Sequence, residues 1–85
     1  MTTWSRELIE ALAGNGETWE DVIETTLTQE EMYSEFDDGF GLAEGCPFTL
    51  WTNEYVYFPV QYDGSEWVAS VPRNPCNEPT QHIGG

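Results

Sequence analysis

Carboxylates are the one chemically active group that this chain carries in number. Sixteen Asp and Glu residues stand against Arg6 and Arg73, there is no lysine, and the formal net charge is −14. The imbalance is local: residues 1–45 hold twelve acids and Arg6 (net −11), while residues 46–85 hold four acids and Arg73 (net −3). Carboxylates can transfer protons, bind a metal or present negative charge to a cationic partner. Proton transfer needs carboxyl groups whose environments push their pKa values apart, and nothing in the pattern signals such burial. His82 is the only histidine, and no Ser or Cys has a base at a motif distance, so no catalytic residue and no enzyme is expected. Asp37, Asp38 and Gly39 do not follow calcium-loop spacing. Cys46 and Cys76 form no metal spacing with each other or with His82, which leaves two free thiols and no expected metal or cofactor. Gly39 and Gly41 lack the Lys-Ser/Thr that would follow in a phosphate loop. Presentation of charge remains.

The acids must be held by the N-terminal part of the chain. Trp4, Leu8, Ile9 and Leu12 form one helical stripe over Trp4–Ala13, and the run Gly14 to Gly16 stops it. Thr18, answered by Asp21 in a capping box, opens a second predicted helix with Trp19, Val22, Ile23 and Thr26 facing inward. Glu17, just before the cap, and Glu20, Asp21 and Glu24 on that helix fall at i, i+3, i+4 and i+7 and make an outer ridge. Side chains so spaced have Cβ atoms about 5–6 Å apart, similar to successive phosphates along a nucleic-acid strand. A third short helix starts at Thr28 with Glu31 as its capping partner. It turns Met32, Tyr33 and Phe36 inward and Glu30, Glu31 and Glu35 outward. Asp37 and Asp38 close it at the end where the helix dipole disfavours acids.

Residues 46–72 supply the platform. Three runs rich in aromatic and β-branched residues, split at Thr52–Glu54 and at Asp63–Gly64, read as an antiparallel meander. Asp-Gly suits a two-residue turn, which pairs Tyr62 with Ser65, Val60 with Trp67, Phe58 with Ala69 and Val56 with Val71 on one face. A three-residue first loop adds Leu50 and Phe48 to that face and is preferred; a two-residue loop would put Trp51 and Thr49 there instead. Trp4, Leu8, Leu12, Trp19, Val22, Ile23 and Phe36 are expected to meet Phe48, Leu50, Val56, Phe58, Val60 and Trp67. The other face then carries Trp51, Tyr55 and Tyr57. It is either covered by helices or tail, or serves as a protein-binding hot spot, since Trp and Tyr dominate such sites.

The expected fold class is α+β: two or three short N-terminal helices packed on a three-stranded antiparallel meander, with a Pro-rich C-terminal tail. One domain spans 1–85, divided into an acidic helical part (1–38), the meander (46–72) and an extended tail (73–85). No apolar run approaches the ~20 residues of a membrane span, and the N-terminus lacks the regions of a secretory signal, so a cytoplasmic location is expected. The charge excludes ordinary binding to nucleic acid or to an anionic membrane and favours a basic protein surface. The protein is expected to be a monomer or weak dimer. An adaptor that binds protein through Trp51, Tyr55 and Tyr57 is the alternative, with the charge serving solubility.

Four stretches, Phe40 to Thr52, Tyr55 to Val60, Tyr62 to Gly64 and Ser70 to Pro75, together with the acidic helices, give the chain a resemblance to a known group. It resembles small phage and mobile-element anti-CRISPR proteins directed at type I surveillance complexes, the I-C subtype among them. The resemblance covers about half of the chain and carries no catalytic or binding motif. It implies an inhibitor in the bacterial host cell that docks on a basic DNA-binding surface, on the large or backbone subunit of the effector complex. The partner-contacting set is then Glu17, Glu20, Asp21, Glu24, Glu30, Glu31, Glu35, Asp37, Asp38, Trp51, Tyr55 and Tyr57.

Overall fold

The computed structural model describes residues 2–36, 45–62 and 65–83. The elements are α1 (Trp4–Gly14), a 3-10 turn (Trp19–Asp21), β1 (Val22–Thr25), α2 (Gln29–Tyr33), β2 (Leu50–Thr52), β3 (Tyr55–Tyr62) and β4 (Ser65–Pro72). They form a small α+β fold of two helices and one four-stranded antiparallel sheet, in the order β1-β2-β3-β4.

Helix α1 follows its sequence pattern. Thr3 caps it by accepting the Arg6 N–H at 3.1 Å, which satisfies one of the orphan donors of the first turn. Trp4, Leu8 and Leu12, four residues apart, are each 0% exposed; Ile9, expected on the same stripe, is instead exposed, because it lies about 100° round the helix from Leu8. Gly16, at φ +74°, turns the chain after Asn15 in the left-handed conformation that glycine adopts without steric cost. Trp4 is the hub of the core. Its ring lies 4.6 Å from Phe36 and 4.9 Å from Phe48, centroid to centroid, and its Nε1 donates to the Cys46 carbonyl at 3.0 Å. Gly45 passes so close that a Cβ there would lie 2.5 Å from the Trp4 ring.

Of the three expected helices, one takes another form and one is shorter than expected. Thr18 and Asp21 make the predicted capping box, but it starts only a single 3-10 turn, and Val22–Thr25 continues as a strand. The stretch after Asp21 is rich in β-branched side chains at Val22, Ile23, Thr25 and Thr26. These favour a pleated backbone, and pairing with β2 gives their N–H and C=O groups partners that a short isolated helix could not match. Ile23, expected in the core, sits at the bulge between Val22 and Glu24 and is 54% exposed. The helix at Thr28 forms with its capping box but ends at Tyr33, which is exposed. Phe36 does reach the core, through a β-bridge in which its backbone exchanges hydrogen bonds of 3.0 and 2.9 Å with Thr2.

The β3–β4 register is the expected one, from Tyr62↔Ser65 to Tyr55↔Pro72; the Asp63–Gly64 turn itself lies outside the described residues. Tyr62↔Ser65 closes the hairpin as a hydrogen-bonded pair, and pair types alternate from there. Pro59↔Val68 is therefore a non-hydrogen-bonded pair, and the Pro59 nitrogen points toward the β2 side. The next bonded pair after Leu50↔Tyr57 would be Phe48↔Pro59, and proline has no N–H to give. The ladder stops, and β2 is short.

The first hairpin differs from the preferred reading. Leu50 pairs with Tyr57 and Trp51 with Val56, which is the register of a two-residue loop at Asn53–Glu54. Thr52 stabilises that loop: its buried hydroxyl accepts the Glu54 and Tyr55 N–H groups at 3.3 and 3.0 Å. One residue of slip exchanges the faces. The core consists of Trp4, Leu8, Leu12, Leu27, Phe36, Phe48, Leu50 and Tyr57, with Trp19, Val22, Tyr55 and Val68 packed against it. Phe48 and Leu50 thus meet α1 as expected, but the covered sheet face is the one with Tyr55, Tyr57 and Val68. Val56, Phe58, Val60 and Trp67 lie on the opposite face. Of these Val60 is buried, yet outside that cluster.

The shortest dimension of the molecule, 18 Å, matches one helical layer on one sheet, with layers about 10 Å apart. No helix among the described residues is long and apolar enough to cross a membrane. Residues 73–83 have neither helix nor strand and are exposed. They start from an anchored point, where Arg73 Nη1 donates to the Thr52 carbonyl at 3.0 Å and Asn74 Nδ2 to the Asn53 carbonyl at 3.3 Å.

Candidate functional site: an acidic surface and two sheet faces

The acids of the N-terminal half are divided by their hydrogen bonds. Glu20, Glu24, Glu30 and Glu35 are exposed. Asp21 and Glu31 are exposed too, but each accepts an N-cap N–H, from Thr18 at 2.8 Å and from Thr28 at 2.9 Å. Their carboxylates hold local structure as well as charge. Because Glu20, Asp21 and Glu24 lie on a 3-10 turn and a strand, the helical spacing that suggested a regular ridge is absent. Charge is dense between residues 20 and 35, but its geometry is that of a turn, a strand and a single helical turn. Asp37 and Asp38 lie outside the described residues.

Glu17 is not part of that surface. Its Oε1 accepts hydrogen bonds from the Tyr57 hydroxyl and from Thr52 Oγ1, the latter at 3.1 Å. Asn15 Nδ2 donates to Tyr57 Oη at 3.0 Å and to Ser70 Oγ at 2.9 Å. A polar network therefore ties the end of α1 to β2, β3 and β4, and it is what lets a tyrosine occupy a fully buried position. Burial, then the hydrogen bond to Glu17, pushes the Tyr57 hydroxyl above its ordinary pKa of 10.0. Sequence reasoning missed this network. The signal was present, since Tyr57 shares a face with Ser70 in the register, but a tyrosine on a strand reads equally as surface.

The three aromatic residues expected together are separated. Tyr55 and Tyr57 share the inner face, with ring centroids 6.2 Å apart; Tyr57 is 0% exposed and Tyr55 half-buried. Trp51 pairs with Val56 and belongs to the outer face. The outer face thus carries Trp51, Val56, Phe58, Val60, Tyr62, Trp67, Ala69 and Val71, with Tyr62 and Trp67 exposed. The register had already grouped most of these residues; only their assignment to the core was mistaken.

Both cysteines are free thiols, Cys46 half-buried and Cys76 exposed. Burial, followed by the nearby negative charge of Glu31, pushes the Cys46 thiol up, the direction that lowers its reactivity. Among the described residues no three His, Cys, Asp or Glu side chains cluster as metal ligands. No protein-family model matches the chain, and no curated protein or solved structure does either.

Proposed function

We propose that this protein is a non-enzymatic, phage- or mobile-element-encoded inhibitor of a nucleic-acid-binding defence complex, acting in the cytoplasm of a bacterial host. It occupies a basic DNA-binding groove of a type I CRISPR effector complex with its own negative surface. One observation carries the reading: Glu20, Glu24, Glu30 and Glu35 stand exposed within sixteen residues, in a chain with no lysine and a net charge of −14. A solvated surface ordinarily mixes signs and gains from ion pairs; this one gives up that gain and repels itself. A basic groove that neutralises phosphates offsets the repulsion, and the resemblance to anti-CRISPR proteins points to the same class of target. Mimicry here rests on charge density rather than on a helical ridge.

The test is competition between this protein and target DNA for a purified type I-C effector complex. The expected result is loss of DNA binding with the native chain and its retention with the Glu20→Lys, Glu24→Lys, Glu30→Lys, Glu35→Lys variant. Glu31 and Asp21 are left intact because they cap. Equal inhibition by both proteins would remove the proposal.

A further inference from the structure

We infer that Asn15 is a deamidation site that the native fold holds closed and whose product the fold does not accommodate. Asn15 is followed by Gly16, and the chain's other three asparagines by Glu54, Pro75 and Glu78. Cyclisation needs the next backbone nitrogen to reach the side-chain carbon, and a following glycine obstructs that approach least because it has no Cβ. The site is at the surface. Gly16 is exposed, Asn15 is half-buried, and a cleft under tail residues 78–81 opens beside Asn15 and Ser70. Water therefore reaches it.

The reaction consumes only water. The Gly16 nitrogen gives its proton to solvent and bonds to Asn15 Cγ, the Cγ–Nδ2 bond breaks, and Nδ2 takes up a proton and leaves as ammonia. Water then opens the five-membered imide at either carbonyl, giving aspartate or isoaspartate. Three features of the fold oppose the first move. The Gly16 N–H donates to the Ala13 carbonyl at 3.0 Å, so the nucleophile is engaged. Asn15 Nδ2 donates to Tyr57 Oη at 3.0 Å and to Ser70 Oγ at 2.9 Å, so the leaving group is held by two bonds. At ψ 8° the Gly16 nitrogen nearly eclipses the backbone nitrogen of Asn15. That leaves Cβ, and the Cγ beyond it, about 120° away around the Cα–C bond.

The product reverses the chemistry of the site. An aspartate has no N–H to give to Tyr57 and Ser70, and it places a second carboxylate against a hydroxyl whose one proton already goes to Glu17. Like-charge repulsion and a buried acceptor without a donor both oppose refolding. Isoaspartate also adds a backbone carbon. That displaces Glu17, whose N–H closes the end of α1 on the Leu12 carbonyl at 2.8 Å. Deamidation is thus one-way: time spent unfolded is recorded as a charge that the folded network rejects.

Incubation of the full chain at mildly alkaline pH, folded in buffer or unfolded in urea, tests the inference. Cleavage after glutamate releases Ala11–Glu17, in which Asn15 is the only side-chain amide, and mass spectrometry follows its conversion to the acid. The expected rate is more than about tenfold lower in the folded chain, since the reaction must await local opening. Ser70→Ala, which takes away one hydrogen bond of the amide, raises the folded rate and leaves the rate in urea unchanged. Asn15→Asp, which is one of the two products, melts well below the native chain or does not fold. Equal rates in buffer and in urea overturn the inference. So does an Asn15→Asp variant whose melting temperature matches that of the native protein.

Discussion

The two faces of the sheet are built from similar residues and do different work. The inner face has Leu50, Tyr55, Tyr57 and Val68 under α1, and its central polar atom, the Tyr57 hydroxyl, is held by Asn15 and Glu17. The outer face has Trp51, Phe58, Val60 and Trp67 with no helix above it among the described residues. By apolar content alone the outer face is the better core. What decides is the alignment of β2: Thr52 folds its loop into two residues, and Leu50 comes opposite Tyr57 rather than Val56. One residue of loop length thus separates the observed core from the more apolar one, because a register slip moves every side chain at once.

The contrast can be broken most forcefully at its two tryptophans. Trp4→Ala removes a side chain that is 0% exposed and in contact with Phe36 and Phe48. The expected cost is about 3–5 kcal/mol, most of the stability of a domain this small. Trp67→Ala on the open face is expected to shift the urea midpoint of dilute protein by less than about 1 kcal/mol. Similar losses for both would mean that the outer face is covered.

Tyr57→Phe is the next largest effect. It keeps the ring but deprives Asn15 and Glu17 of a buried partner, with an expected loss of about 1–3 kcal/mol by chemical denaturation. Phe58→Tyr adds a hydroxyl to the outer face and is expected to be nearly neutral.

Alkaline pH sharpens the same point with a smaller effect. The buried Tyr57 releases its proton at a higher pH than an unfolded tyrosine, whose value is 10.0. Its contribution is therefore fully present below that pH and lost as pH rises beyond it. Melting temperature should fall above about pH 10, and the fall should be shallower in Tyr57→Phe. Equal slopes would remove Tyr57 from the network.

Much of this was legible in the residues. The α1 stripe, both capping boxes, the turn at Gly16 and the whole β3–β4 register follow from spacing and turn chemistry. Two things did not. The stretch from Thr18 to Thr26 satisfies a helical period and a helical cap, yet its β-branched residues pair with β2, a choice made by tertiary contact rather than local preference. The fate of Tyr57 depended on partners 40 and 42 positions away, at Glu17 and Asn15, which no local pattern announces. The acids were plain as composition, but their arrangement depended on the helix that did not form. Glu17 shows the consequence: grouped with the surface ridge by spacing, it is instead an internal acceptor.

The smallest expected change in stability comes from the acids. Reversing Glu20, Glu24, Glu30 and Glu35 to Lys should move stability by no more than about 0.5 kcal/mol per site, because all four are exposed. Thermal unfolding checks this, and a collapse would mean that these carboxylates hold the fold.

The assignment of the two faces is tested most directly by placing one lysine on each, as Leu50→Lys and Trp67→Lys, and following unfolding by circular dichroism. Leu50→Lys puts a charge at a position that is 0% exposed in the core under α1 and should leave the chain unfolded at room temperature. Trp67→Lys should fold, with the far-ultraviolet spectrum of the native protein. The reverse outcome, an unfolded Trp67→Lys and a folded Leu50→Lys, would contradict the account.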